Sequence, residues 1–403
     1  MSESLFASID PVPLDPIIRL WEAVTKDPSP DKLNLVLGVY TDAQGLVPRL
    51  SAVQQAERDW LARAQPKTYR PIEGTRGYVE GVQALLFGAD APVLAQGRAL
   101  TLQSIGGTGA LKIGADVLRQ LRPGAQVAIS DPSWENHRAL FQAAGFEVVA
   151  YPYYAAGQQG VRFDAMLDFL GAMATGSIVV LHACCHNPTG NDLTPAQWQQ
   201  LADLVCARGL IPFVDIAYQG FGDGLDDDAL AVRLFAQKGV EFFIASSFSK
   251  SFSLYGERVG ALTIVADSPA SRGKVEGLAK RVVRTAYSNP PTHGAVLVES
   301  VLQTPALRQA WESELAGMRE RIRNMCSQLV QGLEQRIPGR SFRFVIEQKG
   351  MFSYSGLTAD EVQRLRERHR IYAVDTGRIC VAALNDGNID RVVDAIADVL
   401  LHP

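Results

Sequence analysis

From about residue 98 the apolar positions fall into short continuous runs separated by stretches of helical period. Runs at 99–104, 126–130, 147–151, 177–183, 211–216, 242–246 and 261–265 read as strands, with helical patterns between most of them, as at 110–121, 134–144 and 195–207. Continuous apolar runs suit strands buried on both faces, and strands alternating with helices build a mainly parallel sheet covered on both sides. Two long helical segments follow at 268–284 and 306–335. The character then changes: short strands at 342–346, 352–355 and 379–382 mix with helices at 359–368 and 389–401. The pattern predicts an α/β chain, with a large domain over 46–305 and a smaller α+β domain built from 16–45 and 306–403. Residues 1–15 read as an N-terminal arm and 16–25 as a helix. The run 33–40 reads as a strand in which Gly38 meets something closely.

Composition narrows the classes. A chain of 403 residues suggests two or three domains at roughly 150 residues each. A net charge of −4 argues against a nucleic-acid surface, which needs a basic face. Five cysteines make no disulfide framework, so a reducing, cytoplasmic setting is expected. The first fifteen residues carry Glu3, Asp10 and Asp15 but no Lys or Arg, unlike a secretory or transit signal. No apolar run approaches the roughly 20 residues of a membrane helix.

Five points just after predicted strands carry chemistry, where ligands bind in open α/β sheets. Ile105-Gly106-Gly107-Thr108-Gly109 could bring backbone N–H groups to an anion at a helix start, or be a tight turn. Asp215 ends an apolar strand, where a cation such as a pyridinium nitrogen would offset its burial, although a helix cap is equally open. Tyr218 could aim a phenol at the same ligand. Lys250 follows Ser246-Ser247-Phe248-Ser249, where desolvation would lower its pKa and free the amine for Schiff-base chemistry. Arg258 could complete an anion site with Ser247 and the glycine turn. Asn187, in His186-Asn187-Pro188-Thr189-Gly190, offers a donor to a phenolate-like oxygen, or simply sits in a turn. Arg378 enters an apolar strand and needs an anion, either a substrate carboxylate or an internal acid. His182-Ala183-Cys184-Cys185-His186 fits no usual zinc spacing, so no metal is expected.

Together these segments resemble one family, the fold type I pyridoxal-phosphate aminotransferases of the aspartate and aromatic subgroup. The resemblance runs from Asp15 almost to the end. Its most specific stretches are Ser-Phe-Ser-Lys-Ser-Phe at 247–252, Cys-Cys-His-Asn-Pro-Thr-Gly at 184–190 and Tyr-Ser-Asn-Pro-Pro at 287–291. It implies a seven-stranded, mainly parallel large domain and pyridoxal 5'-phosphate bound to Lys250. Asp215 would pair with the ring nitrogen, backed by His137. Asn187 and Tyr218 would hold the ring oxygen, and Trp134 would stack on the ring. Gly107, Thr108, Ser247, Ser249 and Arg258 would cup the phosphate. Arg378 would hold the substrate α-carboxylate with Gly38 closing over it, and Trp134 and Asn187 would also face the substrate. The resemblance further implies a homodimer, in which Tyr69 reaches the neighbour's phosphate and Arg284 the distal carboxylate of a dicarboxylic substrate.

Thr41 and Val47 stand where aspartate-specific relatives tend to carry lysine and threonine. The expectation is therefore an aromatic-type aminotransferase that also accepts dicarboxylic acids, with a dedicated aspartate enzyme as the alternative. Ala286 stands where many relatives carry Asn, near Arg284. A pyridoxal-phosphate lyase or decarboxylase would share Lys250 and Asp215 but need not carry both Arg378 and Arg284. A ligand-sensing regulator on this fold would have a DNA-binding segment ahead of it, and the short arm leads us not to expect one.

Overall fold

The structure is a computed structural model that describes residues 6, 7, 10, 15–155, 157 and 159–402. The arm expected over 1–15 therefore lies outside the described residues, apart from Phe6, Ala7, Asp10 and Asp15. Seven strands form the central sheet: β1 (Ala99–Ile105), β2 (Gln126–Asp131), β3 (Glu147–Pro152), β4 (Ile178–His182), β5 (Ile211–Ile216), β6 (Phe242–Ser247) and β7 (Val259–Val265). Their order is β1-β7-β6-β5-β4-β2-β3. Only β7 runs against its neighbours, β1 and β6; the other pairs are parallel.

Helices cover both faces, and successive strand residues divide between two apolar clusters. Phe213 on β5 joins the cluster of helices Gly106–Leu121, Glu135–Ala143 and Pro269–Ala286. Its neighbour Val214 joins the cluster of Arg76–Phe87, Pro195–Arg208 and His293–Gln303. That is the period-two alternation of a strand, and burying each such side chain stabilises by about 1.5–3 kcal/mol.

The remaining chain packs around the 32-residue helix Pro305–Arg336. Strand Leu33–Asn34 pairs in parallel with Ile371–Tyr372, which joins the two ends of the described chain. Phe352–Tyr354 pairs antiparallel with Arg378–Cys380. Among the described residues no helix is long and apolar enough to cross a membrane.

Three elements depart from the sequence reading. The expected strand at 342–346 is instead the short helix Phe344–Glu347. Val345 and Ile346 donate to carbonyls three residues back, and Phe342, Phe344 and Val345 reach the core by turning rather than alternating. The expected strand at 33–40 pairs over only two residues, because the chain bends after Asn34 and Val39 donates to the Leu37 carbonyl. The expected strand at 379–382 stops at Cys380, where a 3-10 turn over Val381–Ala383 takes over.

The sheet direction places the site. Strands β1, β4, β5 and β6 deliver their carboxyl ends to one edge. Because β7 is reversed, its first residue Val259 pairs with Ile105 at that same edge. Arg258, just before β7, is therefore brought beside the ends of the parallel strands.

Candidate active site

At that edge lies a cavity of about 340 Å³. Of the residues singled out in the sequence, Gly38, Gly107, Thr108, Trp134, Asn187, Asp215, Tyr218, Ser247, Ser249, Lys250, Arg258 and Arg378 line it. His137 lies behind Asp215. Tyr69 and Arg284 do not line it: both are exposed, Tyr69 to 90%, and Arg284 donates to the Ser288 hydroxyl. Thr41 and Val47 are not cavity residues of this chain either; the Thr41 hydroxyl is buried without a partner, and Val47 is exposed.

Lys250 sits in the turn after β6. Phe248 and Phe252 flank it in the core; Phe252 stacks on Trp311, whose indole N–H donates to the Ser251 carbonyl at 2.7 Å. The Lys250 Nζ hangs 4.8 Å from the centre of the Tyr218 ring. Burial pushes its pKa from 10.5 down to about 8, with the Asp215 charge opposing and Arg258 adding to the fall.

Asp215 is buried on β5. Its Oδ2 lies 2.9 Å from His137 Nε2, and His137 Nδ1 lies 2.9 Å from the Ser133 hydroxyl. Burial opposes its charge, yet the His137 hydrogen bond and nearby positive groups hold the carboxyl below its usual value. His182 packs against the same ring at 4.9 Å, and burial, reinforced by His137, pushes its pKa down to about 3. His137, His182 and Asp215 cluster closely enough to suggest a metal, but both His137 nitrogens and Asp215 Oδ2 are engaged with each other or with Ser133.

An anion cradle lies on the other side. Gly107 and Thr108 are in the first turn of helix Gly106–Leu121, where N–H groups lack intrahelical acceptors. Arg258 Nη1 is 3.4 Å from the Ser249 hydroxyl and donates to the Tyr255 carbonyl at 3.0 Å. A Cβ on Gly106 would lie 2.6 Å from Arg258 Nη2, and one on Gly107 3.1 Å from the Ser247 Cβ. Side chains at either position would fill the cradle, and Gly106 also has φ +66°.

Arg378 is 2% exposed. Its Nη1 donates to Asn187 Oδ1 at 3.0 Å and its Nη2 to the Val36 carbonyl at 2.8 Å, while Nε has no partner. The guanidinium carbon lies 4.2 Å over the Phe352 ring. Among the described residues no carboxylate pairs with Arg378 or Arg258. Arg378 is a buried cation, costly unless paired, and so is suited to an anion that enters from outside; Arg258 is exposed and presents its guanidinium at the cradle.

The sequence reading missed several lining residues. Ile17, Leu37, Val39 and Phe352 give the cavity an apolar wall, and Tyr255 sits between the wall and the cradle. None carries a local signature; only the aromatic character of Tyr255, five residues past Lys250, could have drawn notice.

Comparison with known proteins adds a family. The model for "Aminotransferase class I and II" matches residues 30–396. The chain is 57% identical over 397 residues to an aspartate aminotransferase of Pseudomonas aeruginosa, covering 98% of this chain and 100% of the relative. It is 47% identical to an aromatic-amino-acid aminotransferase of Escherichia coli, with 98% and 100% covered. A crystal structure of an aromatic-amino-acid aminotransferase from Burkholderia pseudomallei, covalently bound to pyridoxal phosphate, superposes with a TM-score of 0.96 at 57% identity, covering 99% of this chain and 100% of that one.

Proposed function

The chain belongs to the class I and II aminotransferases, and from that premise we propose that it holds pyridoxal 5'-phosphate on Lys250 and exchanges the amino group of aromatic and dicarboxylic amino acids with 2-oxo acids such as 2-oxoglutarate. The observation that carries this reading is one cavity with three unlike groups around it: a lysine amine whose charge burial opposes, a buried carboxylate, and a buried guanidinium with no acid partner among the described residues. The residues fit the cofactor. The Gly106-Gly107 cradle is closed to side chains and open to a phosphate, with Arg258 beside it and no acid partner for that guanidinium among the described residues. Asp215, held ionised by His137, suits a protonated ring nitrogen. Trp134 and Tyr218 offer aromatic faces and a phenol to the ring, with Asn187 beside them.

Bound there, the cofactor supplies an electron-withdrawing ring that stabilises negative charge at the substrate's α-carbon. The chain's own groups do the rest. Arg378, which lines the cavity, grips the α-carboxylate with its guanidinium, a planar donor group that fixes orientation as well as position. Lys250 Nζ, its pKa lowered to about 8 by burial, is the base that takes the α-proton. Asp215, oriented by His137, keeps a proton on the group it faces. The apolar wall of Ile17, Leu37, Val39 and Phe352 excludes water and suits an aromatic side chain.

The same reading divides the chain into a cofactor domain over 46–305 and a smaller one from 16–45 and 306–403, with 1–15 as an arm. It takes the active form to be a cytoplasmic homodimer in which the exposed Tyr69 and Arg284 serve the neighbour's site. A dedicated aspartate aminotransferase is the second reading, favoured by the name of the Pseudomonas relative. Pyridoxal phosphate added to cofactor-free protein should produce visible absorbance that Lys250→Ala abolishes; a protein that stays colourless overturns the assignment. Comparison of kcat/KM for tyrosine, phenylalanine and aspartate with 2-oxoglutarate separates the two substrate readings.

A further inference from the structure

The wall that faces the substrate is a length of backbone, residues 37–41, with little regular structure of its own. Leu37, Gly38 and Val39 line the cavity, and what fixes them comes from elsewhere. The Tyr40 N–H donates to the Tyr255 hydroxyl at 2.9 Å. Tyr255 in turn accepts at its carbonyl from Arg258, the guanidinium of the anion cradle. On the far side the Tyr40 hydroxyl accepts from Arg321 Nε at 2.7 Å, and the Arg321 guanidinium lies 4.7 Å over the Tyr40 ring.

Arg321 stands on the long helix Pro305–Arg336 and has no acid partner among the described residues. It spends its remaining donors on backbone carbonyls: Leu384 at 2.7 Å, Ala382 at 3.2 Å, and Thr41. A planar fork can hold several carbonyls at once, whereas an ammonium is a point donor. The contacts form a continuous line from Arg258 through Tyr255 and Tyr40 to Arg321.

The geometry points to Tyr255 and Arg321 as positioning residues that tie the substrate wall at 37–41 to the anion cradle, holding wall and cofactor floor in register. This rests on the reading of the cavity as a pyridoxal-phosphate site. Neither residue is assigned contact with the reacting atoms. With the tie cut, the wall should sit in a wider set of positions, so carboxylate binding weakens while the bound complex, once formed, still reacts.

The test uses the holoenzyme and three variants, Tyr255→Phe, Arg321→Met and Arg321→Lys. Readouts are kcat and KM for phenylalanine and aspartate, Kd for pyridoxal phosphate by absorbance, Kd for the unreactive acids maleate and 3-phenylpropionate, and Tm. For Tyr255→Phe and Arg321→Met we expect KM and both acid Kd values to rise about tenfold, the scale of one lost positioning bond. The same variants should keep kcat within about threefold and leave cofactor Kd unchanged. Arg321→Lys should recover only part of the loss. Acid Kd values equal to wild type in Tyr255→Phe overturn the tie, as does a loss of cofactor binding that parallels the loss of acid binding. A wild-type protein that takes up no pyridoxal phosphate overturns the site reading as well; uptake by wild type with normal acid binding in the variants overturns the tie alone.

Discussion

Gly38→Ala isolates how tightly the substrate wall is packed. The added Cβ would sit 2.5 Å from Phe352 Cζ, with the Cε atoms at 3.3 and 3.4 Å. Ordinary contact begins near 3.4 Å, so the ring must retreat by about 1 Å. It has little room, being 5% exposed, with Tyr218 edge-on at 6.1 Å and the Arg378 guanidinium stacked at 4.2 Å. Overpacking of this kind costs about 1–3 kcal/mol, and a 1 Å error in a positioning group costs up to roughly a hundredfold in rate. We expect KM for every amino-acid substrate to rise about ten- to a hundredfold, with cofactor absorbance unchanged. Phe352→Leu in the same background opens space where the Cβ intrudes and should return part of the loss, so the two substitutions couple. Steady-state kinetics on the four proteins of the cycle, with titration of an unreactive carboxylic acid, measures this. A Gly38→Ala enzyme with wild-type KM would refute the packing argument, as would strict additivity with Phe352→Leu.

Two further predictions concern charge. Lys250 titrates near 8 in the cofactor-free protein, so its uptake of pyridoxal phosphate, corrected for the cofactor's own ionisation with a simple amine, should be half-maximal near pH 8. Asp215 favours the ammonium form, so Asp215→Asn should move that midpoint lower; a wild-type midpoint near the ordinary 10.5 contradicts the burial argument. Arg378→Ala should weaken all amino-acid substrates by at least about a hundredfold, since it removes a buried charge-assisted contact, whereas Arg284→Ala should mainly weaken aspartate and 2-oxoglutarate. Equal losses for phenylalanine and aspartate in the Arg284 variant would remove its role at the distal carboxylate.

The central sheet was legible because its strands are buried on both faces and so appear as unbroken apolar runs; all seven occur within a residue or two of their expected places. The small strands were harder. Phe342, Phe344 and Val345 look like a strand in sequence, and only packing around a long helix makes them turn. Polar site residues were legible for a related reason. Lys250, Asp215, Asn187 and Arg378 are conspicuous because charge and amide are costly beside apolar strands, and all four meet at the cavity. Phe352 and Tyr255 were not. Their importance lies in contacts with Gly38, Arg378 and Tyr40, far away in sequence, and an aromatic residue in an apolar neighbourhood carries no mark of such a partner. Tyr69 and Arg284 remain on the surface of the single chain, where their proposed roles depend on a second copy.

The bond from Arg378 to the Val36 carbonyl joins residues 342 positions apart, and this has a consequence in time. Synthesis at about 5–20 residues per second separates the two by roughly 20–70 s. Lys250, Asp215, Arg258 and the β1–β7 pair that frames them have all been made well before Arg378 emerges. The half of the site that holds Lys250 and the glycine turn can thus be assembled while Leu35, Val36 and Leu37 still lack the strand that will bury or brace them. A pause in translation between residues 300 and 378 would lengthen the time these apolar residues spend without their partner strand, and would not delay the anion cradle.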